Sequence, residues 1–434
     1  MNKFLIETYG CQMNKADSNG VIQNLVENGF IQVYDDRDAD IVILNTCSVR
    51  KSAEDRIWGR LGYFKNLKSK KDLLLIIMGC MSQRLGEDLL LSNYGIDLVI
   101  GNFFKDRIEE IISNYKKTGQ RLFIEEKDIN FFNSYPEKDN PKKAFVTISH
   151  GCNNFCSYCI VPYLRGREKS RSSKEIIDDI NNLCKQGVIQ VTLLGQNVNS
   201  YGLDNNDINF PKLLKLICKE TDIKWIKYLS SHPKDFTDEL IEVIYSEDKV
   251  CNYLHLAVQS GSNKILKRMN RHYTVEEYIN KVSKLKSLIP KLNLTTDIIV
   301  GFSGETESDF LDTVNLIKTV EFDDAYMYKY NIRESTLAAK NFNDDVPEEV
   351  KLERLQKIIE LQNSIKHKKK LTRIGDIFEV IPERYSKKNE NEILGLTKED
   401  LVILFEGTQE DFNKILKVKA TKVIGGSLFG VIEN

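Results

Sequence analysis

Gly151-Cys152-Asn153-Asn154-Phe155-Cys156-Ser157-Tyr158-Cys159-Ile160-Val161-Pro162-Tyr163 places three thiols at Cys-x3-Cys-x2-Cys spacing, within eight residues. Three soft sulfur ligands so close together imply a shared inorganic partner, because thiolates select zinc, copper(I) or iron–sulfur clusters. No fourth cysteine and no histidine follows nearby to close a tetrahedral zinc site. One coordination position is therefore left open. A [4Fe-4S] cube held at three corners leaves its fourth iron free for a small chelating ligand, whereas a structural zinc knuckle has to borrow a distant ligand or a water.

Outward from this loop, six apolar strand-like runs alternate with helical periodicity: 144–150, 190–195, 225–230, 253–258, 294–300 and 325–331. Helical spacing between them is clearest at 173–185 and 308–320. Six successive β/α units predict a partial barrel with its active site at the carboxyl ends of the strands, where the cysteine loop leaves the first one. Upstream, residues 125–143 are polar and broken by Pro136 and Pro141, which reads as a linker.

The N-terminal third predicts an open parallel sheet with helices on both faces, because strand-like and helix-like runs alternate there too. Three of its strand-like runs end in Cys11, Cys47 and Cys80, so these thiols converge on one sheet edge. Gly10 and Gly79, just before two of them, suit close approach of backbone to an inorganic core. Spacing alone leaves a second cluster and three buried strand-end thiols equally open. Cys184, Cys218 and Cys251 follow no spacing and read as ordinary thiols.

Leu164-Arg165-Gly166-Arg167-Glu168-Lys169-Ser170-Arg171 follows the cysteine loop directly. Alternate cations beside Tyr158 and Tyr163 suit phosphate contact and stacking on an unpaired base, so Arg165, Arg167 and Arg171 are candidate RNA contacts. Pro347 then opens a helix with Leu352, Leu355, Ile358, Ile359 and Leu361 on one face, ending in a basic cluster that includes Lys368. Beyond Gly375, short alternating runs predict a small antiparallel β-barrel, with Lys387 as a further cation for RNA. The expected units are 1–125, 143–365 and 370–434.

Composition bounds these readings. The 434 residues are 41% hydrophobic and 29% charged, as in soluble globular proteins, and no apolar run approaches the roughly 20 residues of a membrane span. Nine cysteines without a secretory signal suit a cytoplasmic chain whose thiols serve metals. With a net charge of −1, nucleic-acid contact has to come from local patches.

Cys-x3-Cys-x2-Cys after a strand resembles the cluster loop of radical S-adenosylmethionine enzymes, and residues 152–171 resemble their methylthiotransferases, most of all the branch acting on isopentenyladenosine in tRNA. Thr8-Tyr9-Gly10-Cys11-Gln12-Met13-Asn14 and Asn45-Thr46-Cys47-Ser48-Val49-Arg50 resemble that family's N-terminal domain, and the C-terminal run resembles its TRAM barrel. The resemblance implies two [4Fe-4S] clusters, one on Cys152, Cys156 and Cys159 and one on Cys11, Cys47 and Cys80. It implies S-adenosyl-L-methionine against Tyr158, Gln196, Asn197, Ser231, Gln259 and Gly301, with His232 structural. It implies a monomer that acts on the anticodon stem-loop of tRNA, adding a methylthio group at C2 of N6-isopentenyladenosine at position 37. Alternatives are methylthiolation of threonylcarbamoyladenosine or of a ribosomal-protein aspartate, or a non-enzymatic zinc or cluster protein that binds RNA. The sequence departs from the family at Ala257, Ser303 and Ser335, the last standing where the family has glycine.

Overall fold

A computed structural model describes residues 2–433 apart from 49–50, 206 and 388. Val49 and Arg50, which close the second quoted cysteine motif, lie outside the described residues. Near the N-terminus, β1 (Lys3–Thr8), β2 (Ile31–Gln32), β3 (Ile41–Thr46), β4 (Leu74–Gly79), β5 (Leu98–Ile100) and β6 (Leu122–Phe123) form one sheet in the order β2-β1-β3-β4-β5-β6. All five pairings are parallel. Every residue of β3 and β4 is buried, as expected of strands covered on both faces. Ile41 and Ile43 face the core that holds Val21 and Leu25 of the helix Gln12–Glu27, while Val42 and Leu44 face Ile57 and Leu61 of the helix Lys51–Lys68. This period of two fixes β1, β3 and β4 side by side, so the segments leaving them emerge together.

Next in the chain come β7 (Lys143–Thr147), β8 (Ser149–His150), β9 (Lys169–Ser170), β10 (Gln190–Leu194), β11 (Trp225–Tyr228), β12 (Tyr253–His255), β13 (Asn293–Val300) and β14 (Asp324–Lys329). The parallel triplets β11-β10-β7 and β12-β13-β14 are linked by a bridge between Ser231 and Leu256, giving the expected partial barrel of six strands. Some of its helices start on capping boxes, such as Ser172 with Glu175 and Thr274 with Glu277. The short antiparallel pair β8·β9 clamps the two ends of the cysteine loop.

Five last strands, β15 (Ile377–Tyr385), β16 (Glu392–Thr397), β17 (Val402–Glu406), β18 (Leu416–Ile424) and β19 (Ser427–Ile432), close a barrel in the order β15-β16-β17-β19-β18. One pairing, β17·β19, is parallel. A tight turn at Gly425 and Gly426, with φ of 56° and 80°, folds β19 back along β18 and lays it in the gap beside β17. Bonds from Asn293 Nδ2 to Glu399 O (2.6 Å) and from Lys143 Nζ to Glu383 Oε1 (2.9 Å), together with the pair Lys227–Asp400, seat this barrel at the amino ends of the parallel strands. That is the end opposite the cysteine loop.

Two expectations change. Residues 125–143 carry no long element but pack as a strap: a Cβ on Gly20 would lie 2.3 Å from Phe132, Ser134 Oγ donates to Asp179 (2.7 Å), and Asn140 Nδ2 donates to Pro382 O (3.1 Å). The helix Glu348–Leu371 buries Lys351, Arg354, Ile358, Gln362 and Ile365, whereas Leu352 is exposed. Its polar members have partners, Asp344 for Lys351, Glu305 for Arg354 and the Phe322 carbonyl for Gln362, so the buried face mixes these with Ile358, and Leu355 and Leu361 pack against the same core.

Candidate active site

The cysteine loop is held by its own backbone. Gly151 has φ +78°, and a Cβ there would lie 2.1 Å from the Arg167 carbonyl oxygen, so this crossing requires glycine. Cys152 N donates to Gly166 O (3.2 Å), and Glu168 N donates to Asn153 Oδ1 (3.2 Å). Residues 166–168 thus lie along the start of the loop.

Cys156 is the thiol that the barrel grips from outside the loop. Arg271 Nη1 lies 3.2 Å from its sulfur and His232 Nε2 3.8 Å. Because His232 Nδ1 accepts from Lys234 N (3.2 Å), the ring's hydrogen sits on Nε2 and points at the sulfur. Burial and then the nearby Arg271 keep this imidazole neutral, far below the usual histidine range. His232 therefore serves the loop structurally. Arg271, anchored by Ala257 O at 2.5 Å and by Tyr273, stands in a stretch with no spacing or motif of its own, so the sequence does not single it out.

Burial pushes the Cys152 thiol up to about 11 and Cys159 up to about 12, and in both the neighbouring Cys156 raises it further. Thiols raised in this way, Cys152 and Cys159, ionise beside a cation, which is what an iron–sulfur cube supplies. Among the described residues, no group of three or more His, Cys, Asp or Glu side chains is placed to hold one metal ion. A cube binds its thiolates on three separate irons and needs no common point, so the donor set fits it.

Around the mouth, several buried polar atoms lack a partner among the described residues. They include Gln196 Oε1, Ser231 Oγ and Gln259 Oε1, all predicted ligand contacts. Gln259 also holds φ +73°, an uncommon backbone state that gathers at ligand sites. Tyr158, Cys159 and Gln259 line an open cavity of about 460 Å³, whose further walls include Ile299, Met327 and Arg333. An unpaired buried acceptor on the wall of such a cavity, Gln259 Oε1, fits a polar ligand.

Asn197 and Gly301 behave differently from expectation. Asn197 Oδ1 accepts from His232 N (3.2 Å) while its Nδ2 donates to Asp235 Oδ2 (2.7 Å), so its amide is spent inside the protein. Gly301 N donates to Glu305 Oε1 (2.7 Å), and with φ +70° its Cβ position points at Lys351, 2.4 Å away. The Asn197 amide and the Gly301 N–H are thus used within their turns. Ser335, at the departure from the family's glycine, carries φ +72° in a serine.

Cys11, Cys47 and Cys80 follow β1, β3 and β4, three neighbouring strands. A Cβ on Gly10 would sit 2.6 Å from Cys47 Cβ, and one on Gly79 2.6 Å from Thr46 O, so both glycines allow the close packing of these turns. Asn14 Nδ2 ties two of the turns through Tyr9 O (2.8 Å) and Thr46 O (2.9 Å). The two cysteine trios are neighbours. Cys80 packs against Ile160 and Leu164, and Asn102 Nδ2 reaches both Cys80 Sγ (3.7 Å) and Leu164 O (2.8 Å).

Burial removes two side chains, Arg165 and Arg171, from the candidate RNA surface. Arg165, on the short helix Val161–Arg165, is buried: Nη2 donates to Asn14 Oδ1 and Asp17 Oδ2, each at 3.1 Å, and Cys80 and Asp17 favour its charge against the cost of burial. Burial would raise the Asp17 carboxyl, yet Lys105 and then Arg165 outweigh it and hold the group at about 2. Arg171 pairs with Asp179 at 2.7 Å, both side chains only 5% exposed. Alternating cations read as a solvent-facing strip, but here the first and last, Arg165 and Arg171, turn inward to acids supplied by other segments, while Arg167 and Lys169 between them face out. Arg167, Lys368 and Lys387 are exposed. Lys368, however, belongs to a helix end tied to Asp323 beside the start of β14, and Lys387 to the C-terminal barrel, so both lie at the far end from the cysteines.

Comparison with known proteins agrees with this architecture. Residues 3–101 match the uncharacterized protein family UPF0004, and residues 146–317 match the radical SAM superfamily. Among solved structures, the radical S-adenosylmethionine methyltransferase TsrM from Kitasatospora setae, with cobalamin and a [4Fe-4S] cluster bound, superposes with a TM-score of 0.56 at 12% identity, over 78% of this chain and 77% of that one. The cobalamin-dependent radical enzyme OxsB gives 0.53 at 14% identity, over 84% of this chain and 58% of that one. At such identities the likeness concerns the fold alone. A tRNA-2-methylthio-N(6)-dimethylallyladenosine synthase of Clostridium botulinum (strain Okra / Type B1) is 44% identical over 436 residues, covering 99% of this chain and 97% of that protein. One of Treponema denticola is 44% identical over 422 residues, covering 93% of each. With both cysteine trios, the barrel between them and near full-length identity in hand, the chain belongs to the tRNA-2-methylthio-N(6)-dimethylallyladenosine synthase family.

Proposed function

We propose that this protein is a radical S-adenosylmethionine methylthiotransferase that places a methylthio group at C2 of N6-isopentenyladenosine, at position 37 of tRNA. The observation that carries the reading is the meeting of two cysteine trios across Ile160 and Leu164, beside an open cavity, in a chain 44% identical to such synthases over 99% of its length. An aromatic C2–H has neither an acidic proton nor a leaving group, so acid–base and nucleophilic groups cannot activate it. Two [4Fe-4S] clusters and S-adenosylmethionine, when bound, supply the radical and sulfur chemistry.

The chain's own residues hold and orient. Cys152, Cys156 and Cys159 are the ligands for one cluster, with Arg271 and His232 donating to Cys156 and so fixing that thiolate. Cys11, Cys47 and Cys80 are the ligands for the other. Gln196, Ser231 and Gln259 offer their unpaired groups to S-adenosylmethionine, and Tyr158 shares the cavity wall with Gln259. Ile299 and Met327 give that cavity an apolar side that suits an isopentenyl group, and the flipped base loses little by leaving a loop stack. Residues 1–125, 143–365 and 370–434 act as three units, in keeping with separate cores in each stretch.

The test is an anaerobic reaction of reconstituted enzyme with S-adenosylmethionine and isopentenylated tRNA, followed by mass measurement of the anticodon fragment. The expected product carries an added methylthio group on the prenylated adenosine. A product on threonylcarbamoyladenosine instead, or zinc in place of about eight iron per chain, would overturn the reading.

A further inference from the structure

The rim of the cysteine loop carries an arrangement that neither cluster nor cofactor uses. Phe155, between Cys152 and Cys156, sits at φ +46°, a backbone state that bulky residues rarely accept. That conformation directs its ring to the rim, edge to face with Tyr163 at 6.2 Å between centroids. The Arg167 guanidinium lies 4.3 Å over the Phe155 ring, and Lys340 Nζ lies 6.0 Å from the Tyr163 centroid. Tyr163 is 38% exposed, and Arg167 and Lys340 are exposed as well.

Three separate stretches of chain are pinned to make this rim. Residues 166–168 are bonded to the loop start through Cys152 N and Asn153 Oδ1. The helix Leu337–Asn341, which carries Lys340, is anchored by Ala338 N donating to Ser157 O at 2.6 Å. Tyr163 stands two residues after Val161, which lines the 460 Å³ cavity. A partly exposed aromatic ring, flanked by two cations and two residues beyond a wall of the cavity, is the chemistry that single-stranded nucleic acid seeks. Its bases stack on π-faces and its phosphates pair with the flanking charges.

We propose that Phe155, Tyr163, Arg167 and Lys340 form a stacking platform for the unpaired base adjoining the modified adenosine, with Tyr163 as the stacking ring and the two cations on the flanking phosphates. The platform rests on the proposed function. It explains how a target base is held unstacked: its neighbour, once parted from it, gains a protein ring to stack on.

The experiment is a double-mutant cycle between protein and RNA. Affinity of the reconstituted enzyme is measured for an isopentenylated anticodon stem-loop and for two versions that are abasic on one or other side of the target. Wild type should lose about tenfold on removal of the stacked neighbour. Tyr163→Ala should lose about tenfold on the intact RNA and nothing more on that abasic one, whereas Tyr163→Phe should keep the wild-type pattern. Arg167→Gln and Lys340→Gln should instead flatten the salt dependence, by close to one unit of slope per lost phosphate contact. Tyr163→Ala is checked for unchanged iron content, so a folding failure is recognised. Losses that simply add, for both abasic positions, overturn the platform. Absence of methylthiolated product from wild type on the intact RNA overturns the function itself, which keeps the two failures distinct.

Discussion

Arg165 Nη2 donates to Asp17 Oδ2 at 3.1 Å, joining residues 148 positions apart and bringing the end of one cysteine loop onto the other cysteine trio. Lys105 shares the same carboxylate, so two buried cations face one acid, and the surplus positive charge lies beside Cys80. A cluster held on the thiolates of Cys11, Cys47 and Cys80, as proposed, would supply the missing negative charge. The short helix from Val161 to Arg165 thus spans from one site to the other.

Arg165→Met should leave tRNA binding and its salt slope unchanged while lowering the iron held by Cys11, Cys47 and Cys80. Because Lys105 still pairs with Asp17, the loss of stability should fall below the roughly 3–5 kcal/mol of a buried pair broken outright. Iron analysis and thermal unfolding measure both. A changed salt slope with full iron content would return Arg165 to the RNA surface.

For Arg171→Met, Asp179 would keep only the bonds from Ser134 as a buried charge. A loss of about 3–5 kcal/mol in unfolding free energy is expected, with most of it recovered in the double variant with Asp179→Asn. Denaturant titration of the four proteins decides it. Additive losses would mean that the pair contributes little.

Gln259→Leu and Asn197→Leu should separate binding from architecture. Gln259 Oε1 has no partner among the described residues, so the leucine should weaken S-adenosylmethionine binding about tenfold at nearly unchanged stability. Asn197 bonds His232 and Asp235, so its leucine variant should lose about 1–3 kcal/mol of stability. Equilibrium binding and melting curves on both proteins are the measurements.

Burial raises the Glu168 carboxyl from 4.5 to about 7, against the hydrogen bond from Ser200 Oγ at 2.5 Å. A carboxyl raised on folding contributes stability that is full below its unfolded value and is lost as pH climbs to the folded one. Stability should therefore decline between about pH 4.5 and pH 7 by an amount on the order of 3 kcal/mol. Glu168→Gln should flatten that stretch of the pH profile and leave the protein more stable than wild type above pH 7.

Replacing Cys152, Cys156 and Cys159 with alanine should leave about four iron per chain and no 5′-deoxyadenosine formation. The reciprocal variant at Cys11, Cys47 and Cys80 should still form 5′-deoxyadenosine but yield no methylthio product. Its rate should fall as well, since Cys80 packs on Ile160 and Leu164 next to the first trio. Iron, 5′-deoxyadenosine and modified tRNA from one anaerobic incubation give all three answers.

Much of this protein is legible in residue order, because the signals are local. Continuous apolar runs ending in cysteine specify β1, β3 and β4 as strands of a parallel sheet, and Gly10 and Gly79 announce the tight turns that gather Cys11, Cys47 and Cys80. The three-thiol spacing after β7 announces the other site, and alternation of strands with helices announces the partial barrel. What the sequence could not determine is which side chains are already spent. Arg165 and Arg171 read as a cationic strip, but their partners Asp17 and Asp179 come from other segments, so only packing reveals them as buried pairs. Asn197 and Gln259 look alike as polar residues after strands, yet one is saturated by His232 and Asp235 while the other keeps a free oxygen. Arg271 reaches Cys156 across 115 residues without any local pattern. Spacing and periodicity follow from the geometry of the backbone and are written along the chain. Charge pairing and hydrogen-bond saturation depend on which distant segments meet, and only the tertiary structure decides that.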